Sequence, residues 1–190
     1  MEKSDFKKSI AVFISGRGSN LNSLIRFSKL KRSHFEVKLV ISNKLNAKGL
    51  DYAKKNKIKN YVFHEHLQTF EKESLRLLKK NKIEIICLAG FMKILSPSFI
   101  KKSKIPIVNV HPSLLPRLKG LKTHERAIKL KHKFSGCTIH HVNEKLDSGK
   151  IILQKKLKIL KSDNAQSLSK RVLELEHKAY PEAVQKLTNY

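Results

Sequence analysis

The stretch Ile107-Val108-Asn109-Val110-His111-Pro112-Ser113-Leu114-Leu115-Pro116 begins as a β-branched apolar run and ends at two prolines. The run predicts a buried strand, and the prolines bar it from continuing as a ladder or a helix. In an extended chain Asn109 and His111 alternate with Val108 and Val110, so the two polar side chains share one face. An amide donor and an imidazole at a strand end suit a site that stabilises charge on a carbonyl oxygen. The same pair also fits an ordinary hydrogen-bonded strand end.

Upstream, Ile10-Ala11-Val12-Phe13-Ile14-Ser15 is a second compact apolar run, of the kind buried in a parallel sheet. It feeds Gly16-Arg17-Gly18-Ser19-Asn20 and then a helix through Leu21, Leu24 and Ile25. Strand, glycine-rich turn and helix present backbone N–H groups and a positive helix end to a phosphate. Gly18 allows close backbone approach, and Ser19 or Asn20 is expected to cap the helix. A third glycine and an acidic residue after the next strand are both missing, so a single phosphate monoester fits better than a dinucleotide.

Further strands are expected over 35–42, 60–63, 83–89, 136–142 and 151–160, with helices between them. The intervening helices are expected over about 47–56, at 70–81 and through Ala127 and Ile128. Leu168, Val172, Leu175 and Ala179 recur at helical spacing and predict a last amphipathic helix. Alternating strands and helices specify an α/β fold, a single Rossmann-like domain with a mainly parallel central sheet and helices on both faces. Residues 1–9 are expected to be an N-terminal extension and 10–190 the domain. Ligands of such sheets gather at the carboxyl ends of the strands.

Composition narrows the classes. No apolar run reaches the roughly 18 residues that span a bilayer, and the N-terminus has no signal-peptide core, so a cytoplasmic protein without membrane contact is expected. Cys87 and Cys137 sit in apolar stretches, as small buried hydrophobes of a reduced protein. The charge is unusual: 41 Lys+Arg against 15 Asp+Glu, a net +26. The lysines are dispersed, without a basic tail or aromatic interleaving, so no specific nucleic-acid partner is expected. A basic nucleic-acid-binding module on an α/β scaffold remains the alternative from a different class. His64-Glu65-His66 lacks a nearby third ligand, and no metal is expected there.

The string N-x-H-P-S-L-L-P, followed by Gly120 and His124 and by Leu146-Asp147-Ser148-Gly149 before an apolar strand, resembles the signature of the folate-dependent formyltransferases. The resemblance runs from about Ile10 to Leu187. It implies 10-formyltetrahydrofolate as co-substrate, no metal, and Asn109, His111 and Asp147 as the catalytic set. The stretch around Gly18, Ser19 and Asn20 is similar to the phosphate loop of members that formylate glycinamide ribotide in the third step of purine biosynthesis. By the same resemblance Glu176, in R-V-x-x-x-E-H, contacts that ribotide; without it, Glu176 reads as a solvated helix residue.

Ala89-Gly90-Phe91-Met92-Lys93-Ile94-Leu95-Ser96 resembles the family's folate-side loop, which implies folate contacts from Met92, Lys93, Ile94 and Leu95. Asn109, Val142 and Asp147 complete the implied folate set, and His140 is a neighbour of the site or a hydrogen-bonded strand histidine. Lys93 stands where the family usually has arginine, and Lys119 and Lys122 make the following loop more basic than expected. Methionyl-tRNA formyltransferase and formyltetrahydrofolate hydrolase share the triad. The first is expected to carry a further C-terminal domain and the second an N-terminal regulatory domain, for neither of which this chain has room. Monomer and homodimer both stay open.

Overall fold

In the computed structural model, which describes residues 7–189, strands form wherever an apolar run has two faces to bury. β1 (Lys8–Ile14) alternates between two cores: Ile10, Val12 and Ile14 enter one, Ala11 and Phe13 the other. That double burial is why the run carries no polar alternation. The chain then gives α1 (Ser19–Ser28), β2 (Phe35–Ser42), α2 (Gly49–Lys55), β3 (Lys59–Val62), α3 (Leu67–Lys80) and β4 (Ile85–Leu88). α4 (Pro97–Ser103), β5 (Ile107–His111), α5 (Thr123–Lys129), β6 (Phe134–His141), β7 (Ile151–Lys158) and α6 (Ala165–Thr188) complete it.

Seven strands form one sheet in the order β3-β2-β1-β4-β5-β6-β7. The five from β3 to β5 are parallel, and β6 and β7 join antiparallel to their neighbours. The sheet is therefore mainly parallel, as expected. α1, α2, α5 and α6 pack on one face through residues such as Leu21, Leu50, Ala127 and Val172. α3 and α4 cover part of the other through Phe70, Leu77 and Phe99. Tyr180 of α6 is fully buried, with its hydroxyl 3.1 Å from both the Leu88 and Val108 carbonyl oxygens. It pins the last helix to β4 and β5 directly beneath the central stretch.

Two boundaries differ from expectation. The first strand starts at Lys8, so Lys8 and Ser9 belong to the sheet rather than to an extension. Lys8 N donates to the His34 carbonyl at 2.8 Å, and Glu84 accepts from Lys8 Nζ at 2.7 Å and Ser9 N at 3.0 Å. These polar pairings at the strand's edge carry no hydrophobic signal, which is why periodicity missed them. Residues 1–6 of the expected extension lie outside the described residues. β7 stops at Lys158, after which Ile159 N donates to Lys133 O at 3.0 Å.

Candidate active site

β5 places Asn109 and His111 on one face, and the antiparallel register sets His140 opposite Asn109 and Thr138 opposite His111. Asp147 reaches this group from the turn between β6 and β7, at φ 46°, a left-handed conformation that Asp tolerates better than most residues. Its Oδ2 accepts from Gly120 N at 2.8 Å and lies 3.4 Å from His111 Nδ1. Its Oδ1 lies 3.7 Å from His140 Nε2. The carboxylate thus sits between two imidazoles, and its side chain and that of His111 are each only 7% exposed.

Hydrogen-bond bookkeeping fixes the tautomers. His111 Nε2 is 2.9 Å from the Leu118 carbonyl oxygen, which can only accept, so Nε2 carries a proton. Both ring nitrogens of His111 therefore face oxygen atoms. Of those two contacts the longer is the one towards Asp147. His140 Nδ1 faces the His141 carbonyl at 2.8 Å and must donate to it. Its Nε2 is then left to accept from Asn109 Nδ2 at 3.3 Å. Burial lowers the His140 pKa, against the opposing effects of the His141 bond and the Asp147 charge, so this ring is neutral. A neutral His140 orients the Asn109 amide and leaves its other N–H for a substrate oxygen. His124 of α5 is a further neighbour: burial lowers its pKa first, the His111 ring second, and its buried Nδ1 has no partner among the described residues.

The glycine-rich turn lies at the same end of the sheet, because Phe13 of β1 pairs with Leu88 of β4 and Leu88 with Asn109. The expected side-chain cap from Ser19 or Asn20 is absent. Gly18, at φ 74°, is the N-cap residue of α1, and no side chain bonds the helix start. The first-turn N–H groups are thereby left without the usual capping oxygen, as an anion site requires. Asn20 turns inward, its Nδ2 donating to Glu176 Oε2 at 2.7 Å, and both residues are buried. Burial pushes the Glu176 pKa up to about 7, with the Asn20 bond opposing. Glu176 is thus not the solvated helix residue that its sequence context suggests.

The implied folate loop divides. Met92 and Ile94 are 65% and 71% exposed, Lys93 is exposed, but Leu95 is 4% exposed and belongs to the core. The Leu95 side chain therefore supports the loop from below, and only its main chain is left for a ligand. Val142 is half-buried against the same core, its N–H donating to Ile107 O at 2.8 Å. Several residues that position this loop gave no sequence signal. Ser15 Oγ accepts from Met92 N at 2.7 Å and donates to Asn43 Oδ1 at 2.6 Å. Glu71 of α3 accepts from both Ser96 N and Ser96 Oγ, at 2.6 and 2.7 Å. Leu121 and Leu146, in the loops that bracket Gly120 and Asp147, are 78% and 55% exposed.

His64, Glu65 and His66 are exposed in the connection between β3 and α3. Among the described residues no group of three or more His, Cys, Asp or Glu side chains is placed to hold a metal ion. No helix among them is long and apolar enough to cross a membrane.

An amide, two imidazoles and a carboxylate at the strand ends of an open α/β sheet, beside an uncapped helix start, define a protein built for acid–base group transfer. Residues 8–184 match the formyl transferase family. The chain is 39% identical to phosphoribosylglycinamide formyltransferase of Haemophilus influenzae over 181 residues, 92% of this chain and 84% of that one. It is 42% identical over 184 residues to the trifunctional purine biosynthetic protein adenosine-3 of Gallus gallus, where it covers 94% of its own length and 18% of that protein's. The crystal structure of phosphoribosylglycinamide formyltransferase from Brucella melitensis is similar at TM-score 0.92 and 40% identity, with 97% of each chain covered. The chain belongs to the formyl transferase family.

Proposed function

We propose that this chain transfers the formyl group of 10-formyltetrahydrofolate to the amino group of glycinamide ribotide, a step of purine biosynthesis. The observation that carries the reading is the placement of Asp147 between His111 and His140, with Asn109 oriented on the same face. The amine nitrogen attacks the formyl carbon, and negative charge develops on the formyl oxygen. The free Asn109 N–H donates to that oxygen, with His111 as a second donor once it exchanges a contact; one such donor contributes on the order of 3 kcal/mol. The bond from the formyl carbon to N10 then breaks. One proton leaves the amine and one arrives on N10, with His111 and Asp147 carrying the transfer. No covalent enzyme intermediate is needed, because the amine attacks the formyl carbon directly, and Ser113 is outside the G-x-S-x-G pattern of a nucleophile elbow.

The ribotide phosphate sits at the start of α1, at Gly18, Ser19 and Asn20, and the ribotide also contacts Glu176. The folate lies along Met92, Lys93, Ile94 and the Leu95 main chain, beside Val142. The protein acts in the cytoplasm as one domain from the start of β1, on small molecules, without a membrane, a metal or a specific nucleic acid as partner. The dispersed charge gives attraction for anionic substrates rather than a recognition surface. The test is consumption of 10-formyltetrahydrofolate with glycinamide ribotide, with charged initiator tRNA, or with no acceptor, each with and without a chelator. Turnover only with the ribotide, unchanged by the chelator, is expected. Turnover with tRNA, turnover without an acceptor, or loss of activity on chelation overturns the proposal.

A further inference from the structure

A second concave site lies on the sheet face that carries His111, on the other side of the 113–118 segment. It is a cavity of about 340 Å³, and none of Asn109, His111, His140 or Asp147 lines it. That volume suits a small organic molecule rather than a single inorganic ion. Its polar wall comes from Arg117, His132, Lys133 and Lys156, and no acidic side chain lines it. None of Arg117, Lys133 and Lys156 is in an ion pair among the described residues. The contrast along β7 is informative. Lys155 points to the helical face and pairs with Glu182 at 2.9 Å, whereas the next residue, Lys156, points into the cavity with no carboxylate to meet.

The apolar wall has a matching feature. Phe134 is 48% exposed at the cavity, and Lys156 Nζ stands 5.4 Å from the centre of its ring. An aromatic face left half in water beside a cation is a surface on which a planar group stacks. Ser135 also contributes to the cavity wall and is 5% exposed. Leu118 is common to both sites: it lines the cavity, and its carbonyl oxygen holds His111 Nε2 at 2.9 Å.

We propose that this cavity binds a planar aromatic anion of the nucleoside monophosphate type, its ring on Phe134 and its phosphate among Arg117, Lys133 and Lys156. The site is independent of the formyl-transfer reading, and so is its test. Adenosine 5′-monophosphate is titrated calorimetrically into the wild type, Phe134→Ala, Lys156→Glu and Gly16→Val, with inorganic phosphate as the control ligand. Phe134 and Lys156 are exposed, so both cavity variants are expected to fold, and a melting curve checks this. Binding to the wild type with a dissociation constant of about 1 mM or tighter is expected, weakened about tenfold in each cavity variant and unchanged in Gly16→Val. Inorganic phosphate is expected to bind more weakly, because it has no ring to stack. The proposal fails if the nucleotide does not bind, if inorganic phosphate binds as tightly, or if only Gly16→Val loses binding, which would place the nucleotide at the start of α1.

Discussion

Asn20 Nδ2 donates to Glu176 Oε2 at 2.7 Å, joining the start of α1 to the middle of α6 across 156 positions of sequence. The bond is buried at both ends, and burial is what raises the Glu176 pKa from 4.5 to about 7. The folded protein therefore holds this proton more tightly than the unfolded chain does. Between these two values the native state binds more protons than the unfolded state, so stability falls as pH rises through the window. The shift corresponds to about 3 kcal/mol at most. Glu176→Gln removes that loss. Denaturant melts at pH 5 and pH 8 should show the variant gaining on the wild type mainly at pH 8. An equal difference at both values would mean that Glu176 titrates like an exposed carboxylate.

Asp147→Asn should fold normally, since Asn also tolerates the left-handed backbone at φ 46° and its amide oxygen can still accept from Gly120 N. What it loses is the negative charge 3.4 Å from His111 Nδ1. The expected result is a fall in kcat of at least about a hundredfold, with the ribotide dissociation constant nearly unchanged. Single-turnover rates alongside ribotide binding measure the two separately. A near-normal rate would remove Asp147 from the chemistry.

The sequence made the buried parallel strands legible because both faces of the sheet are covered, so residues 10–14 of β1 and all of β4 appear as unbroken apolar runs, while β2 alternates only at its start, where Glu36 and Lys38 are exposed. Asn109 and His111 were legible because alternation alone puts them on one face. Asp147 was legible only through the resemblance, since its approach to His111 depends on a left-handed turn that local pattern does not encode. The Asn109–His140 contact needs the antiparallel register of β5 and β6, a tertiary fact. The α1 cap was misjudged because Asn20, a good capping residue, is held inward by Glu176 instead. Leu95 carries the same lesson in reverse: neighbours in a loop are divided between solvent and core by packing that begins with Phe13 and Phe99 of other elements.

Cys87 and Cys137 are fully buried, and burial is the largest cause pushing each thiol up to about 12. Thiolate is the reactive form, so neither should react with a disulfide reagent in the native protein at pH 8. The denatured chain should titrate 2 thiols. Rapid labelling of either cysteine in the native state would show that the core around β4 or β6 opens readily.

The two glycines of the turn before α1 separate folding from phosphate binding. A Cβ on Gly18 would stand 2.4 Å from the Gly49 Cα, a backbone atom at the start of α2, and Gly18 is at φ 74° besides. Neither problem can be relieved by a rotamer change. Gly49 N also donates to Gly16 O at 3.0 Å, so the turn and α2 cannot simply move apart. Gly18→Ala should therefore cost more than about 2 kcal/mol of stability, from left-handed strain and overpacking together. A loss of ribotide binding in that variant would say little about the phosphate. Gly16 is the cleaner probe, since a Cβ there meets nothing within 4 Å and its φ is not positive. Gly16→Val should keep the wild-type melting temperature to within a few degrees, corresponding to roughly 0.5 kcal/mol. Gly16 stands two residues before the N-cap Gly18, so if the phosphate sits at this turn the added bulk should raise the ribotide KM at least about tenfold while the folate KM changes little. Equal weakening of both substrates would indicate a shift of the whole sheet end. Unchanged ribotide binding would move the phosphate away from this turn altogether.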